Sequence, residues 1–246
     1  MSVERKFDHT SYTITEYEDF LSEEECRVLV EFTLPRLIES RVYEAKVDNV
    51  DHNIRISDQT WIHDHEHNAI VDQINRRIEA IVQIPPDRYE ALQVVRYKPG
   101  GFYRPHHDAC TSTPADCKRM NEPFQAQRYL TFLIYLNDDF TGGGTHFPTL
   151  KYTTQPKRGM AVLFQNTDST GKVLPDSLHG GDPVKQGEKW ICNKWIHYPT
   201  PQTEYELVER FSMVRSISGQ ALKNMLWIVL CMVIIVLGVR WWFVRP

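Results

Sequence analysis

The stretch that decides the fold reads Tyr97-Lys98-Pro99-Gly100-Gly101-Phe102-Tyr103-Arg104-Pro105-His106-His107-Asp108. His106 and Asp108 are two residues apart, so on an extended strand their side chains project to the same face. An imidazole and a carboxylate on one face can bind one metal ion, provided that a third ligand comes from elsewhere in the chain. His179, within Leu178-His179-Gly180-Gly181, is the candidate for that third ligand. The pattern therefore predicts a metal site.

Two histidines and one carboxylate on one side of an ion form the facial triad of non-haem iron(II) oxygenases, which leaves positions free for a cosubstrate and oxygen. A lone His-x-Asp is a weak signal, because ten histidines and 32 acidic residues produce it by chance. A second histidine-rich stretch, His63-Asp64-His65-Glu66-His67, also looks like a metal site. We interpret it as a solvated loop at a helix start, because its side chains would point in different directions.

A lysine ten residues after His179 gives the pattern more weight. Lys189 opens a predicted strand, and strand alternation places five of its residues on one face: Lys189, Ile191, Asn193, Trp195 and His197. If that face lines a barrel, Lys189 is an inward cation, which is costly to bury unless a partner such as a dicarboxylic acid is present. The alternative is that Lys189 lies in water at the strand edge and Trp195 is ordinary core.

The segment from Leu92 to His197 resembles the catalytic domain of prolyl 4-hydroxylases, within the 2-oxoglutarate dioxygenase superfamily. The family motifs occur in order: Y-x-x-G-x-x-Y-x-x-H-x-D at Tyr97–Asp108, Y-L-N at Tyr135–Asn137, G-G-x-T-x-F at Gly142–Phe147, P-K-x-G at Pro156–Gly159, L-H-x-G-x-P-V at Leu178–Val184 and G-x-K-W at Gly187–Trp190. One departure is Gly144, where the family often has glutamate. The departure removes no metal ligand.

The resemblance implies a mainly β fold with flanking α-helices, a double-stranded β-helix or jelly-roll barrel. It implies that His106, Asp108 and His179 hold Fe(2+), and that Lys189 pairs with the distal carboxylate of 2-oxoglutarate. The other residues that it implicates are Tyr97, Thr145 and Tyr135 beside the cosubstrate, and Arg128, His197, Tyr103 and Trp195 beside the peptide substrate. L-ascorbate is the expected reductant for the iron. Arg128 has the opposite strand parity to Tyr135, so a bend or an edge position must turn it inward.

The implied reaction is 4-hydroxylation of peptidyl proline with oxygen and 2-oxoglutarate, which releases succinate and carbon dioxide. One alternative is a 2-oxoglutarate dioxygenase that hydroxylates lysine or a small molecule. Another is a non-catalytic, membrane-anchored binding module, although a degenerate site would be expected to lose a ligand. A formal net charge of −4 and the lack of a long basic run argue against a nucleic-acid partner. The oligomeric state is left open.

Hydrophobic spacing predicts two helices, near residues 23–38 and 66–83, the first preceded by a capping-box pattern that begins at Ser22. Residues 1–20 are expected to hold a loose tail and a first strand. Four further strands are predicted at Leu92–Tyr97, Tyr129–Leu136, Met160–Phe164 and Trp190–His197. The helices are expected to pack outside the barrel.

The apolar sequence near the C-terminus predicts a membrane anchor. Met225–Val239 contains no charged residue, and as a helix it rises about 22 Å, short of the roughly 30 Å hydrocarbon core. Extension to Val244 reaches that length, with Arg240 snorkelling to the interface. The alternative is a buried or oligomerisation helix.

We expect a catalytic domain at 1–215 and a linker with a single-pass anchor at 216–246. Because the N-terminus has no apolar signal-peptide core, the expected topology is a tail anchor in the endoplasmic reticulum or another membrane, with the catalytic domain in the cytosol.

Five cysteines occur at wide spacings, without a C-x-x-C pair. Cys110 and Cys117 lie in one polar stretch and could form a disulfide. The favoured interpretation is two free thiols in a reducing compartment.

Overall fold

Eight antiparallel strands form the larger of two sheets in the computed structural model, which describes residues 2–9, 12–44 and 47–198. In spatial order they are β1 (Ser2–His9), β2 (Tyr12–Glu18), β14 (Ala161–Gln165), β10 (Arg128–Tyr135), β17 (Lys189–His197), β8 (Leu92–Tyr97), β7 (Asp58–Ile62) and β3 (Ile38–Glu39). The numbers follow chain order, so neighbouring strands in this sheet come from distant parts of the sequence. This arrangement brings the predicted site residues of β8, β10 and β17 side by side.

The smaller sheet has five antiparallel strands. They are β13 (Tyr152–Thr153), β12 (Thr145–Phe147), β15 (His179–Gly181), β9 (Phe102–His106) and β6 (Arg55–Ile56). Two further antiparallel pairs are β11 (Thr141–Gly142) with β16 (Val184–Gln186), and β4 (Val42–Glu44) with β5 (Val47–Asn49). One buried cluster joins the sheets, because Phe147 of β12 packs with Ile14, Leu133 and Phe164 of the larger sheet. The mainly β jelly-roll core expected from the sequence is confirmed.

Two helices cover the other face of the larger sheet. Helices α1 (Glu23–Thr33) and α2 (Ala69–Val82) bury one apolar side each, and the side chains that they bury are Cys26, Leu29, Val71, Ile74 and Ile78. These pack with alternate residues of β10 and β17, including Phe132 and Ile196. A shorter helix, α3 (Pro114–Met120), follows β9, and 3-10 turns occur at Leu34–Arg36, Asp64–Glu66, Pro86–Arg88 and Pro175–Ser177. The helices outside and the smaller sheet inside leave the central strands β8, β10 and β17 buried on both faces.

The predicted helix over 23–38 is too long. Helix α1 does begin with the capping box, since Ser22 Oγ accepts from the Glu25 amide and the Glu25 carboxylate accepts from the Ser22 amide. It ends at Thr33, because Pro35 has no N–H to donate to the preceding turn and the chain continues as a 3-10 turn. The predicted strands agree with the structure to within one residue at each end.

The compact unit that holds both sheets ends at Tyr198. The predicted domain boundary at 215/216 and the predicted anchor at Met225–Val244 lie outside the described residues. None of the helices within the described residues has the length and hydropathy that crossing a bilayer requires.

Candidate active site

Three side chains that the sequence singled out as ligands converge on one point. His106 Nε2 lies 3.6 Å from Asp108 Oδ1, and His179 Nε2 lies 3.7 Å from Asp108 Oδ2. All three ligand atoms lie within 4.8 Å of one another. Convergence follows from the register of the smaller sheet, in which His179 of β15 is paired with His106 of β9. The distances suit one ion held by two nitrogens and one oxygen.

The hydrogen bonds around these side chains involve both Nδ1 atoms and Asp108 Oδ2, and they leave the two Nε2 atoms and Asp108 Oδ1 to face the metal position. The Nδ1 atoms bond to backbone carbonyls, His106 to Arg104 at 2.8 Å and His179 to Ser177 at 2.9 Å, which fixes each ring with Nε2 facing inward. Thr131 Oγ1 donates to Asp108 Oδ2 at 2.6 Å and so orients the carboxylate. These contacts are those expected around a 2-His-1-carboxylate site for iron(II).

Burial and charge set the protonation of these groups. Burial alone would raise the pKa of Asp108, but His179 and His106 beside it hold that pKa well below its ordinary value. Burial lowers the pKa of His179 to about 4. At neutral pH the site therefore offers a carboxylate and a neutral imidazole, the forms that bind a metal ion.

A cavity of about 470 Å³ opens beside the three ligands, between the two sheets. Six of the other predicted site residues line it: Tyr97, Tyr103, Arg128, Thr145, Lys189 and Trp195. The ring of Tyr103 stacks on the ring of His106 with 3.6 Å between centroids. The cavity is large enough for a small dicarboxylic acid and part of a peptide.

Lys189 is buried, with 1 % of its surface exposed, so the alternative of a solvated lysine at the strand edge is wrong. Its Nζ lies 5.1 Å from the ring centre of Tyr97 and 5.5 Å from that of Tyr135. Burial, opposed by Asp182, lowers the pKa of Lys189 to about 7. A buried ammonium without a bonded carboxylate is costly, and an anionic ligand in the cavity would remove that cost.

A β-bulge turns Arg128 into the cavity. In the pairing of β10 with β17, Arg128 is opposite His197 and Leu130 is opposite Ile196, so Tyr129 is an extra residue on β10. The extra residue reverses the alternation. Arg128 therefore shares a face with His197 and stacks on Trp195, with its Cζ 3.8 Å from the ring centre.

Glu90, just before β8, is a partner that sequence reasoning missed. It accepts from Arg128 at 2.5 and 2.7 Å and contacts His197 Nε2 at 2.8 Å. Burial alone would raise the pKa of Glu90, but Arg128 and His197 outweigh it and hold that pKa at about 2. The ion pair fixes the direction of the Arg128 guanidinium. No motif marked Glu90, because its role depends on β8 and β10 lying on either side of β17.

Two predicted residues lie one layer behind the cavity. His197 bonds to Glu90 and to the Ala126 carbonyl, and its ring stacks on Phe124. The Tyr135 hydroxyl lies 2.7 Å from Thr145 Oγ1, which itself lines the cavity. Both therefore reach the cavity through another side chain.

A row of amides across the inner face of the larger sheet was also missed. Asn193 donates to Gln93 at 3.0 Å, and Gln93 donates to Gln59 at 2.8 Å. All three line the cavity, as does Arg55, whose guanidinium lies 4.8 Å from the Tyr103 ring centre. Alternation along β8 and β17 could have indicated Gln93 and Asn193 as inward polar residues.

The loop after Asp108 corrects one interpretation. Cys110 and Cys117 form a disulfide with a Cα–Cα distance of 5.3 Å, so the favoured interpretation of two free thiols is wrong.

The departure from the family motif at Gly144 also has a structural reason. A Cβ there would lie 2.7 Å from Thr153 Cγ2, so Thr153 would have to shift to admit a side chain. The histidine-rich turn at 63–67 is largely exposed, in agreement with a solvated loop.

The Glu90→Gln variant is expected to separate positioning from chemistry. It keeps the shape but removes the charge that holds Arg128, and breaking a buried ion pair costs about 3–5 kcal/mol. We expect a lower melting temperature and, for the reaction that the resemblance implies, a raised KM for the peptide with little change in the KM for 2-oxoglutarate. Asp87→Asn, an exposed acid-to-amide change nearby, is the control and should change neither. Equal losses for peptide and 2-oxoglutarate would contradict this role.

Comparisons with known proteins agree with the geometry. Residues 92–197 match the family model of the 2OG-Fe(II) oxygenase superfamily. A prolyl 4-hydroxylase homologue of Acanthamoeba polyphaga mimivirus is 40 % identical over 172 residues, which are 70 % of this chain and 68 % of that protein. Prolyl 4-hydroxylase 1 of Arabidopsis thaliana is 36 % identical, over 72 % of this chain and 66 % of that protein. The solved viral collagen prolyl hydroxylase of Paramecium Bursaria Chlorella virus-1, in complex with 2-oxoglutarate, is 33 % identical with a TM-score of 0.59, over 74 % of this chain and 94 % of the other.

Proposed function

We propose a function from one premise: the chain belongs to the prolyl 4-hydroxylase family of the 2OG-Fe(II) oxygenase superfamily. It is a 2-oxoglutarate- and Fe(II)-dependent dioxygenase that hydroxylates proline, and a proline-containing peptide or protein is its substrate. The observation that supports this most directly is the convergence of His106, Asp108 and His179 beside a buried lysine, within a segment that matches the family.

We assign His106, Asp108 and His179 as the iron ligands, because their donor atoms converge and their other polar atoms are already bonded. Bound iron and 2-oxoglutarate supply the oxidising chemistry, with succinate and carbon dioxide as coproducts. Lys189 binds the distal carboxylate of 2-oxoglutarate, and Thr145 and the Tyr97 hydroxyl complete that end of the cavity. Ascorbate is the proposed reductant for iron that oxidises without substrate.

The peptide is placed at the other end of the cavity. Arg128, held by Glu90, and Tyr103 present a cation and an aromatic face beside the metal ligands. Trp195 lines the cavity and its ring supports Arg128, while its buried indole N–H has no hydrogen-bond partner among the described residues. His197 contributes by holding Glu90. These groups orient the proline ring and exclude water from it.

The experiment that tests the function measures succinate release by the full chain with Fe(II), 2-oxoglutarate and ascorbate. Proline-rich peptides are expected to stimulate release and to gain one oxygen atom on proline by mass spectrometry. Matched peptides with alanine in place of proline should do neither. Stimulation by lysine peptides alone would favour the alternative substrate, and no succinate under any condition would favour a binding module.

We also propose that the apolar segment Met225–Val244 anchors the protein in a membrane. Its composition supports this, since twenty residues as a helix reach about 30 Å. The full chain is expected to stay with membranes after alkaline carbonate extraction. A chain that ends at residue 215 is expected in the supernatant with its dioxygenase activity retained. A full chain released by carbonate would contradict the anchor.

The side of the membrane is a separate question. From the sequence we expect the catalytic domain to lie in the cytosol. The Cys110–Cys117 disulfide favours the other side, because disulfides persist in oxidising compartments such as the endoplasmic reticulum lumen. Protease treatment of sealed microsomes distinguishes the two. Digestion of the catalytic domain without detergent supports the cytosolic side, and protection until detergent is added supports the lumenal side.

A further inference from the structure

One wall of the cavity is formed by residues of the segment 109–127, which connects β9 to β10. Thr111, Ser112 and Met120 of this segment line the cavity. Its two ends join functional residues, because it begins after the ligand Asp108 and ends before Arg128. A change in the shape of this segment therefore alters the space beside the metal ligands without moving the sheets.

Few apolar contacts hold the part of this wall that precedes Asn121, whereas farther along Phe124 stacks on His197 and its carbonyl accepts from Arg88. Between residues 109 and 127 the buried side chains are Ala109, Cys110, Asp116 and Asn121. Helix α3 has seven residues, too few to be stable alone. Its first turn is closed by polar contacts: Ser112 and Thr113 donate to the buried Asp116 carboxylate, which also pairs with Arg119. The conformation of the wall depends on how it is attached to the barrel.

Two attachments meet at Cys110. The side-chain amide of Gln127 clamps its backbone, accepting from Cys110 N at 3.0 Å and donating to Cys110 O at 2.9 Å. The disulfide joins the Cys110 side chain to Cys117 on α3. The two hydrogen bonds of Gln127 hold the two ends of the segment together, and the disulfide links those ends covalently to helix α3. Without the disulfide, α3 retains the polar contacts of its first turn and the short-range contacts of Asn121.

We propose that the Cys110–Cys117 disulfide positions the cavity wall for peptide binding, and that its reduction by a dithiol weakens peptide binding while the metal and 2-oxoglutarate sites persist. This inference rests on the proposed function. Lys189, Thr145 and the three ligands lie on strands or are bonded to strand residues, so they do not depend on α3. Peptide affinity does, because a wall that must be ordered on binding lowers affinity.

The exchange is chemically balanced. A thiolate of the dithiol attacks Cys117 Sγ, which belongs to the more exposed residue, since Cys117 is half-buried and Cys110 is 7 % exposed. The S–S bond breaks and Cys110 leaves as a thiolate, which takes a proton from solvent. The second thiol of the reagent then displaces Cys117 and closes a cyclic disulfide. Two electrons pass from the dithiol to the protein, and the protein gains two thiols.

The first test compares the full chain before and after treatment with dithiothreitol, and includes Cys117→Ser. Reduction and the substitution are each expected to raise the KM for a proline-rich peptide by about tenfold, with the KM for 2-oxoglutarate within about twofold. Reduction should not change Cys117→Ser further, which controls for effects of the reagent on iron. Lys118→Ala, an exposed change beside Cys117, should behave as the wild type. An unchanged peptide KM on reduction would overturn the inference.

A second measurement does not need a peptide substrate. Trypsin can cut the wall after Lys118 and Arg119, and we expect reduction to speed these cuts in the wild type but not in Cys117→Ser. No Lys or Arg separates the two cysteines, so one tryptic peptide reports their state by mass after alkylation. Faster cuts without stimulation by any proline peptide would contradict the proposed function and support the role of the disulfide. Equal cutting rates, or free thiols in the untreated protein, would overturn the inference.

Discussion

Replacing His179 by alanine is expected to abolish proline hydroxylation and succinate release while the protein stays folded. The substitution removes one of three ligand atoms that lie within 4.8 Å of one another. Loss of a group that merely orients a metal ligand costs about 10- to 100-fold in affinity or activity, and loss of the ligand itself costs more. The barrel does not depend on the metal, because its core is a continuous apolar cluster. Iron binding is measured as metal content and activity as succinate release. The circular dichroism spectrum shows whether the protein stays folded.

His65→Ala is the matched control. His65 is exposed in the other histidine-rich stretch, the one that we interpreted as a solvated loop. The control should bind iron and release succinate as the wild type does. Iron binding that survives in His179→Ala but is lost in His65→Ala would place the metal in the histidine-rich stretch at 63–67 and overturn the assignment.

Lys189→Met is expected to raise the KM for 2-oxoglutarate by roughly ten- to a hundredfold, the equivalent of a charge-assisted hydrogen bond of about 1.5–3 kcal/mol. Methionine has a similar length and no charge, so the buried position should tolerate it without loss of stability. Lys194→Met is the control, because Lys194 is equally buried on the same strand but on the other face. A 2-oxoglutarate KM that changes equally in both variants, or in neither, would place Lys189 outside the cosubstrate site.

The same lysine predicts a pH dependence. Burial lowers the pKa of Lys189 to about 7. Below that pH the ammonium is charged and can pair with a carboxylate, and above it the free enzyme holds a neutral amine that must take up a proton on binding. The KM for 2-oxoglutarate is therefore expected to rise between about pH 7 and pH 9 in the wild type, by up to about tenfold per unit. The rise should be absent in Lys189→Met.

His106, Asp108 and Lys189 could be predicted because short-range rules place them, whereas His179, far from them in the chain, was supported by the family motif around it. His106 and Asp108 are near neighbours in the chain, and Lys189 lies on a nine-residue strand whose alternation determines its face. The strands at Leu92–Tyr97 and Trp190–His197 were predictable because short runs rich in β-branched and aromatic residues between turn residues mark strands without knowledge of the partner strand. Helix α2 was predictable from its 3.6-residue spacing.

The contacts that orient the site could not be predicted, because they join residues far apart in sequence. Glu90 meets Arg128 across 38 positions, and Thr131 meets Asp108 across 23. Such contacts depend on strand order, which hydrophobic spacing does not specify. The disulfide was misjudged for a different reason: the choice between thiols and disulfide was made from the expected compartment, whereas the loop brings the two Cα atoms within bonding range. The end of α1 depended on a single proline.

The bulge at Tyr129 makes the inward direction of Arg128 a matter of residue count. If the unchanged sequence paired regularly, Tyr129 would lie opposite His197 and the arginine would face the helices. A one-residue deletion at Tyr129 would instead restore regular pairing and keep Arg128 opposite His197. An ungapped alignment would therefore equate Arg128 with an arginine that faces the helices in a relative without the bulge. For classifying relatives, the spacing between Arg128 and Thr131 carries as much information as the arginine itself.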